Sequence, residues 1–159
     1  MHIAGFFIHG DPRPQERPRA TIRGKRAAVY NRECPWRQTV AHALQAFDLP
    51  HFFPEGVPVA MHLRFYLSRP KSHYGTGRNS GTLKPSAPVM PITGGTGAKK
   101  RGMIGDVDNY AKAVLDEMNG VVFHDDAQVI QLRVTKQYAD GRPPGVWFTL
   151  REYGRSTLV

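Results

Sequence analysis

Cysteine is nearly absent from this sequence, acids are scarce, and no apolar run is long. Cys34 stands alone among 159 residues, which excludes an internal disulfide framework and a cysteine-based zinc site. No stretch approaches the roughly 18 apolar residues of a membrane span. The opening MHIAGFFIHGDP is too short, too weakly basic and too soon interrupted for a secretory signal. The expectation is a cytoplasmic protein without a membrane partner. Asp and Glu number 13 against 22 Lys and Arg, a formal net charge of +9. That excess favours a polyanionic partner, most often nucleic acid. The length suits one domain, residues 1–159, able to bury a core.

What is present divides into short periodic segments. AGFFIHG reads as a strand. Residues 13–37 hold eight Arg or Lys, among them Arg13, Arg17 and Arg19, and only two acids. RGKR can turn a hairpin between RATI and AAVY. CPWRQTVAHALQAF reads as a helix: Pro35 suits a first turn, and Trp36, Val40, Ala43, Leu44 and Phe47 share a face. VPVAMHLRFYL alternates as a strand with Val59, Met61, Leu63 and Phe65 on one side. Residues 71–101 have no hydrophobic period and hold six Gly, three Pro, six Lys or Arg and no acid. This basic loop, with Lys71, Lys99, Lys100 and Arg101, reads equally as a DNA contact and as a solvated linker. Its GGTGAKKRG lacks the Gly-Lys-Ser/Thr of a phosphate-cradling loop, so no nucleotide cofactor is expected.

The scarce acids are gathered. GDVDNYAKAVLDEMNGVVFHDD, residues 105–126, holds six of the 13: Asp106, Asp108, Asp116, Glu117, Asp125 and Asp126. Like charges so close repel unless a cation offsets them. Ala111, Val114, Leu115 and Met118 have helical spacing, Asp108 can cap the helix, and Asn119-Gly120 can stop it. VVF then reads as a short strand, HDD as a turn, and AQVIQLRVTKQY as a strand with Ile130, Leu132 and Val134 inward. GVWFTLREY is the last strand. An extended return from Gly120 would bring Asp125 and Asp126 back beside Asp106 and Asp108. Carboxylates meeting there, without a His or Cys ligand set, describe a hard-cation site suited to Mg²⁺. His124 reads more simply as a surface residue than as a ligand.

Asp106, Asp108 and Glu117 also match positions 1, 3 and 12 of a calcium loop. That reading fails because position 6 is Ala111 rather than Gly and helical periodicity runs through the stretch. Lys112 lies in an i, i+4, i+8 stripe with Asp108 and Asp116. It is either half of a surface ion pair or an ammonium at the edge of the metal site.

DVDNYAKAVLDEMNGVVFHDDAQVIQLRVTKQY resembles the core signature of the RusA-type Holliday-junction resolvases: Asp-x-Asp-Asn-x-x-Lys, then Asp, a short Asn/Thr-Gly turn, and Asp-Asp-x-Gln-Val entering a basic strand. PRPQERPR, FYLSRPKSH and PPGVWFTL resemble the family more loosely. The resemblance implies a small α+β domain, a mixed β-sheet with about two helices packed on it, assembled as a homodimer. It implies a Mg²⁺-dependent endodeoxyribonuclease, with Mn²⁺ as substitute, that binds four-way DNA junctions and resolves them by paired nicks. Carried over by position, Asp106, Asp108 and Asp126 are metal ligands and Lys112 is the essential lysine; Asn109, Asp116 and Asp125 are supporting residues. The stretch KKRGMIG before Asp106 departs from the family's Lys-Pro-like step, which leaves that loop's contacts open. A nuclease for other branched or flapped DNA and a non-catalytic DNA-binding protein remain the alternatives.

Overall fold

The computed structural model describes residues 2–15, 19–23, 26–30, 34–47, 53–92 and 105–154, with backbone alone for 2–4, 19–23 and 26–30. Arg17, Lys99, Lys100 and Arg101 lie outside these residues, and of Arg19 only the backbone is described. Six strands and two helices follow in chain order: β1 His2–His9, β2 Arg19–Arg23, β3 Arg26–Tyr30, α1 Pro35–Ala46, β4 Val59–Leu67, α2 Val107–Met118, β5 Val129–Tyr138 and β6 Gly145–Glu152. β2 and β3 form the expected antiparallel hairpin. The other four strands make one mixed sheet in the order β1-β6-β4-β5, and the fold is α+β. β4 runs parallel to β5 and antiparallel to β6. Parallel neighbours cannot be joined by a tight turn, so the chain crosses over through a long loop and α2.

The alternation in β4 determines which side of the sheet is dry. Val59, Met61, Leu63 and Phe65 are buried together with Val146, Phe148 and Leu150 of β6. α1 covers them with Trp36, Val40 and Leu44, and α2 adds Ala111, Val114 and Met118. Each of the larger side chains contributes about 1.5–3 kcal/mol through removal from water. The opposite side of the sheet carries His62 and Arg64.

Three details depart from the expected pattern. β5 is an edge strand, so Ile130 and Leu132 are 57% and 41% exposed and only Val134 is half-buried. Val59 pairs with Val129 and Ala60 with Gln131, so Ile130 is the extra residue of a bulge. Residues 121–123 are not a strand but a tight turn, reversed at Gly120 with φ +71°, with Phe123 bridging Phe53. The described part of the basic loop, 71–92, is folded, with two short 3-10 turns at Lys71–His73 and Gly77–Asn79. Buried Arg69 anchors it by two hydrogen bonds to Asp140, 2.5 and 2.8 Å, one to the Pro88 carbonyl, 2.7 Å, and stacking over Tyr138.

Candidate active site

The helix that carries the acids begins two residues earlier than a cap at Asp108 would have it. Asp106 is the N-cap, with extended backbone, and Asp108 lies in the first turn. Both aspartates suit a cap by residue type, so sequence alone could not choose between them. In the first turn the Asp108 carboxylate is favoured by the helix dipole. The N-terminal segment fixes this entrance. A side chain at Gly105 would collide with the Pro14 ring, and the Gln15 N–H donates to the Asn109 carbonyl at 3.0 Å. Arg13 is thereby carried close to the helix start, where it is exposed and paired with Asp11 at 2.8 Å.

From the sheet side, the Lys136 ammonium donates to the Gly105 carbonyl at 2.7 Å. Burial pulls its pKa down, and the charge of Asp106 partly restores it. Tyr110, packed on Phe65, is buried below the same point, and burial pushes its phenol up.

Along α2 an open cleft separates helix and sheet edge. Ala111, Leu115, Leu132 and Val134 give it apolar walls, and Asp108, Lys112, Asp116 and Asp126 put charge around them. Lys112 Nζ stands 3.3 Å from Asp116 Oδ1, with the lysine side chain 61% exposed. Arg37 of α1 reaches across to Glu117 at 2.5 Å and to Asp116 at 3.9 Å. Two cations therefore face Asp116, and much of the repulsion implied by the acidic cluster is offset between the helices.

Asp126 opens a 3-10 turn, Asp126–Gln128, whose geometry is set by its neighbours. Asp125 accepts from the Ala127 N–H at 2.7 Å. Buried Gln128 accepts from the N–H groups of His124 and Asp125, and donates to the carbonyls of Pro54 and Val57. His124 is exposed. The turn precedes β5, and it is Lys136, near the far end of that strand, that reaches the helix start. The extended return expected over residues 121–126 is made by β5 instead, because 120–128 is folded into turns.

Among the described residues no three His, Cys, Asp or Glu side chains are grouped as a metal cage. Asp108 and Asp126 border one open cleft, and Asp106 caps its helix. Such a donor set fits Mg²⁺, which commonly takes one or two carboxylates, keeps waters and shares substrate phosphate oxygens. Lys71 is exposed in the folded loop. Sequence reading missed Arg37, Gln128 and Lys136. The Asp-x-x-Gln spacing of a capping box marked Gln128, and Lys136 occupies the inward phase of β5 after Leu132 and Val134. Arg37 left no local signal, since its partner is 80 residues away.

Comparison with known proteins agrees with the signature around the cleft. The model of the family Endodeoxyribonuclease RusA matches residues 9–150. The Bacillus subtilis (strain 168) protein named Uncharacterized protein YqaN is 30% identical over 160 residues, covering 96% of this chain and 98% of that protein. With the cleft, the Asp-x-Asp-Asn-x-x-Lys helix and the Asp-Asp-x-Gln turn all inside the matched region, this chain belongs to the RusA endodeoxyribonuclease family.

Proposed function

We propose that the protein is a Mg²⁺-dependent resolvase that cuts four-way DNA junctions by paired, symmetric nicks in recombination and repair. The observation carrying this reading is the α2–β5 cleft, where Asp108, Asp126 and Lys112 meet in a nuclease-family chain of strongly basic composition. Asp108 and Asp126, with Asp106 at the helix entrance, would hold the cation, with Mn²⁺ as substitute. When bound, it supplies Lewis-acid polarisation of the scissile phosphate and a more acidic water.

The chain's own groups do the rest. The carboxylates fix where the phosphate sits. The apolar walls of Ala111, Leu115, Leu132 and Val134 limit water around it, which strengthens each charge interaction there. Lys112 is exposed and only loosely paired with Asp116, so its ammonium can turn to a phosphate oxygen as negative charge grows on it. Asn109 and Asp116 hold the helix face in place, and Asp125 orders the turn bearing Asp126. Arg13, Arg17, Arg19, Lys71, Lys99, Lys100 and Arg101 engage phosphates, which positions DNA without reading its sequence. Two nicks at symmetric positions require two clefts, so a homodimer is part of the reading.

Incubation of a synthetic four-way junction with the protein, with and without Mg²⁺, tests this. Symmetric nicks that need the cation are expected. Asp108→Asn should abolish them while retaining or strengthening junction binding, because one ligand charge and one source of repulsion towards phosphate are removed together. Equal cleavage of flaps and junctions would move the substrate class. Near wild-type cutting by Asp108→Asn would overturn the metal-site assignment.

A further inference from the structure

The face of the sheet turned away from both helices has a composition that the cleft chemistry does not use. Its outward positions are Ala60, His62, Arg64 and Tyr66 on β4, Gln131, Arg133, Thr135 and Gln137 on β5, and Gly145, Trp147, Thr149 and Arg151 on β6. On β1 they are Gly5, Phe7 and His9. None of these is Asp or Glu, in a sheet whose other side borders the acidic cleft. Arg133 is the register partner of His62 across β4 and β5, and Arg64, two residues along β4, donates to His62 Nε2 at 3.4 Å; both arginines are exposed. His62 is held below its ordinary pKa, by burial first and then by these two guanidiniums.

Beside these cations lie aromatic rings on prepared ground. Trp147, 39% exposed, lies over Gly5, where any side chain would collide with the indole. Phe7 lies beside Gly145, where a side chain would collide first with the Ile8 backbone carbonyl and then with the Phe7 ring at 2.6 Å. Phe7 stands 6.0 Å from Tyr66, and Arg142 covers Tyr66 at 4.9 Å. Phe7, His9, Tyr66, Arg142 and Trp147 line one open hollow. Both rings keep part of their surface in solvent, whereas the opposite side of β4 and β6 is buried.

We propose that this sheet face binds an unpaired DNA strand, with bases stacking on Trp147 and Phe7 and phosphates meeting Arg64 and Arg133. Duplex backbone alone would need the cations but not the rings. Aromatic platforms interleaved with cations are what splayed bases and their phosphates require. A second copy of the chain fits poorly, because a two-fold contact would set the face against itself and bring like charges together. The surface lies across the sheet from the cleft, so it is separable from cleavage.

Binding of a fluorescent oligothymidylate to the Asp108→Asn protein, in buffer without divalent metal, tests the face apart from the nuclease reading. Trp36 is 2% exposed, so a fluorescence change on binding reports Trp147. Quenching at saturation is expected, with affinity falling about tenfold in Trp147→Ala through the loss of one stacked base and recovering in Trp147→Phe. Arg64→Glu with Arg133→Glu, which leaves the aromatic packing alone, should weaken binding and flatten its salt dependence. Unquenched tryptophan with unchanged affinity in the charge-reversed protein would overturn the proposal. So would Trp147→Ala shifting the protein from dimer to monomer by light scattering while oligonucleotide affinity stays constant.

Discussion

Lys112 is the residue at which two readings of one geometry part. Its ammonium lies 3.3 Å from Asp116 on a helix surface, with most of the side chain in water. Taken as an exposed i, i+4 pair, the contact is worth about 0.3–0.5 kcal/mol, and Lys112→Ala would leave cleavage intact. Asp116 does not depend on it, because Arg37 also faces that carboxylate. Under the proposed function, a lysine so weakly needed for folding serves the cleft it borders. A preorganised donor aimed at developing charge is typically worth about 10²–10³ in rate. Single-turnover cleavage by Lys112→Ala with enzyme in excess should therefore fall by that order, with melting temperature and junction binding little changed. Lys112→Arg should rescue poorly, since a planar guanidinium does not reproduce a compact ammonium. A Lys112→Ala protein that cuts within about threefold of wild type would return the residue to the helix surface.

At the scale of elements, the sequence discloses whatever has a clean period and hides whatever depends on distant partners. α1 and β4 are legible because their apolar residues recur at helical and strand spacing and all face one core. The start of α2 is ambiguous between two aspartates two residues apart. VVF resembles a strand because three apolar residues in a row look alike in a strand and in a buried turn. β5 alternates correctly, yet Ile130 and Leu132 are exposed because, among the described residues, no strand pairs with its far side, which no local pattern discloses. Of the candidate site, the clustering of carboxylates is legible from residue type and spacing, whereas spacing leaves Lys112 open between an ion pair and the cleft, and its role is implied by the family resemblance alone. Arg37 left no local signal, and although capping-box spacing marks Gln128 and strand phase marks Lys136, their partners Pro54, Val57 and Gly105 lie elsewhere in the chain.

Gln128 is the sharpest test at this scale. Its amide makes four hydrogen bonds, two of them within the turn that bears Asp126. Gln128→Ala leaves four part-buried backbone groups without this partner, and an unsatisfied group typically costs up to about 1–3 kcal/mol when fully buried. Urea unfolding should register that loss, and cleavage should fall further than the loss of folded protein explains. The Arg69–Asp140 clamp gives a pH signature. The hydrogen bond from Arg69 holds the Asp140 carboxyl below the ordinary range, against the opposing effect of burial. A depressed folded pKa stabilises above the unfolded value and loses that contribution as pH falls through the folded value. The folded loop 71–92 should thus resist protease at neutral pH and open in acid below the ordinary aspartate range. Asp140→Asn should already be cut faster at pH 7.

For the whole molecule, the question is how a chain of net charge +9 can seat a cluster of acids without losing its hold on DNA. The crossover between parallel β4 and β5 supplies the answer by placing α2 along one sheet edge, so that six of the 13 acids come from one helix and the turn after it. The cationic segments at 13–26 and 71–101 lie elsewhere in the chain, and under the proposed function they meet phosphates while the cleft meets the scissile bond. Affinity built this way comes largely from counterion release, which makes it fall steeply with salt. A plot of log junction affinity against log salt should therefore be steep and linear. Removing one cation from a phosphate reduces its slope by about 0.9. Replacing Lys99, Lys100 and Arg101 together by Ala should flatten it by up to about 2.7 and weaken all junction sequences alike, since phosphate contacts carry no sequence information. Cleavage at saturating protein and low salt should stay near wild type, because the carboxylates and Lys112 are untouched. An unchanged slope would make that stretch a bystander and leave the hairpin segment and the folded part of the loop to carry the DNA.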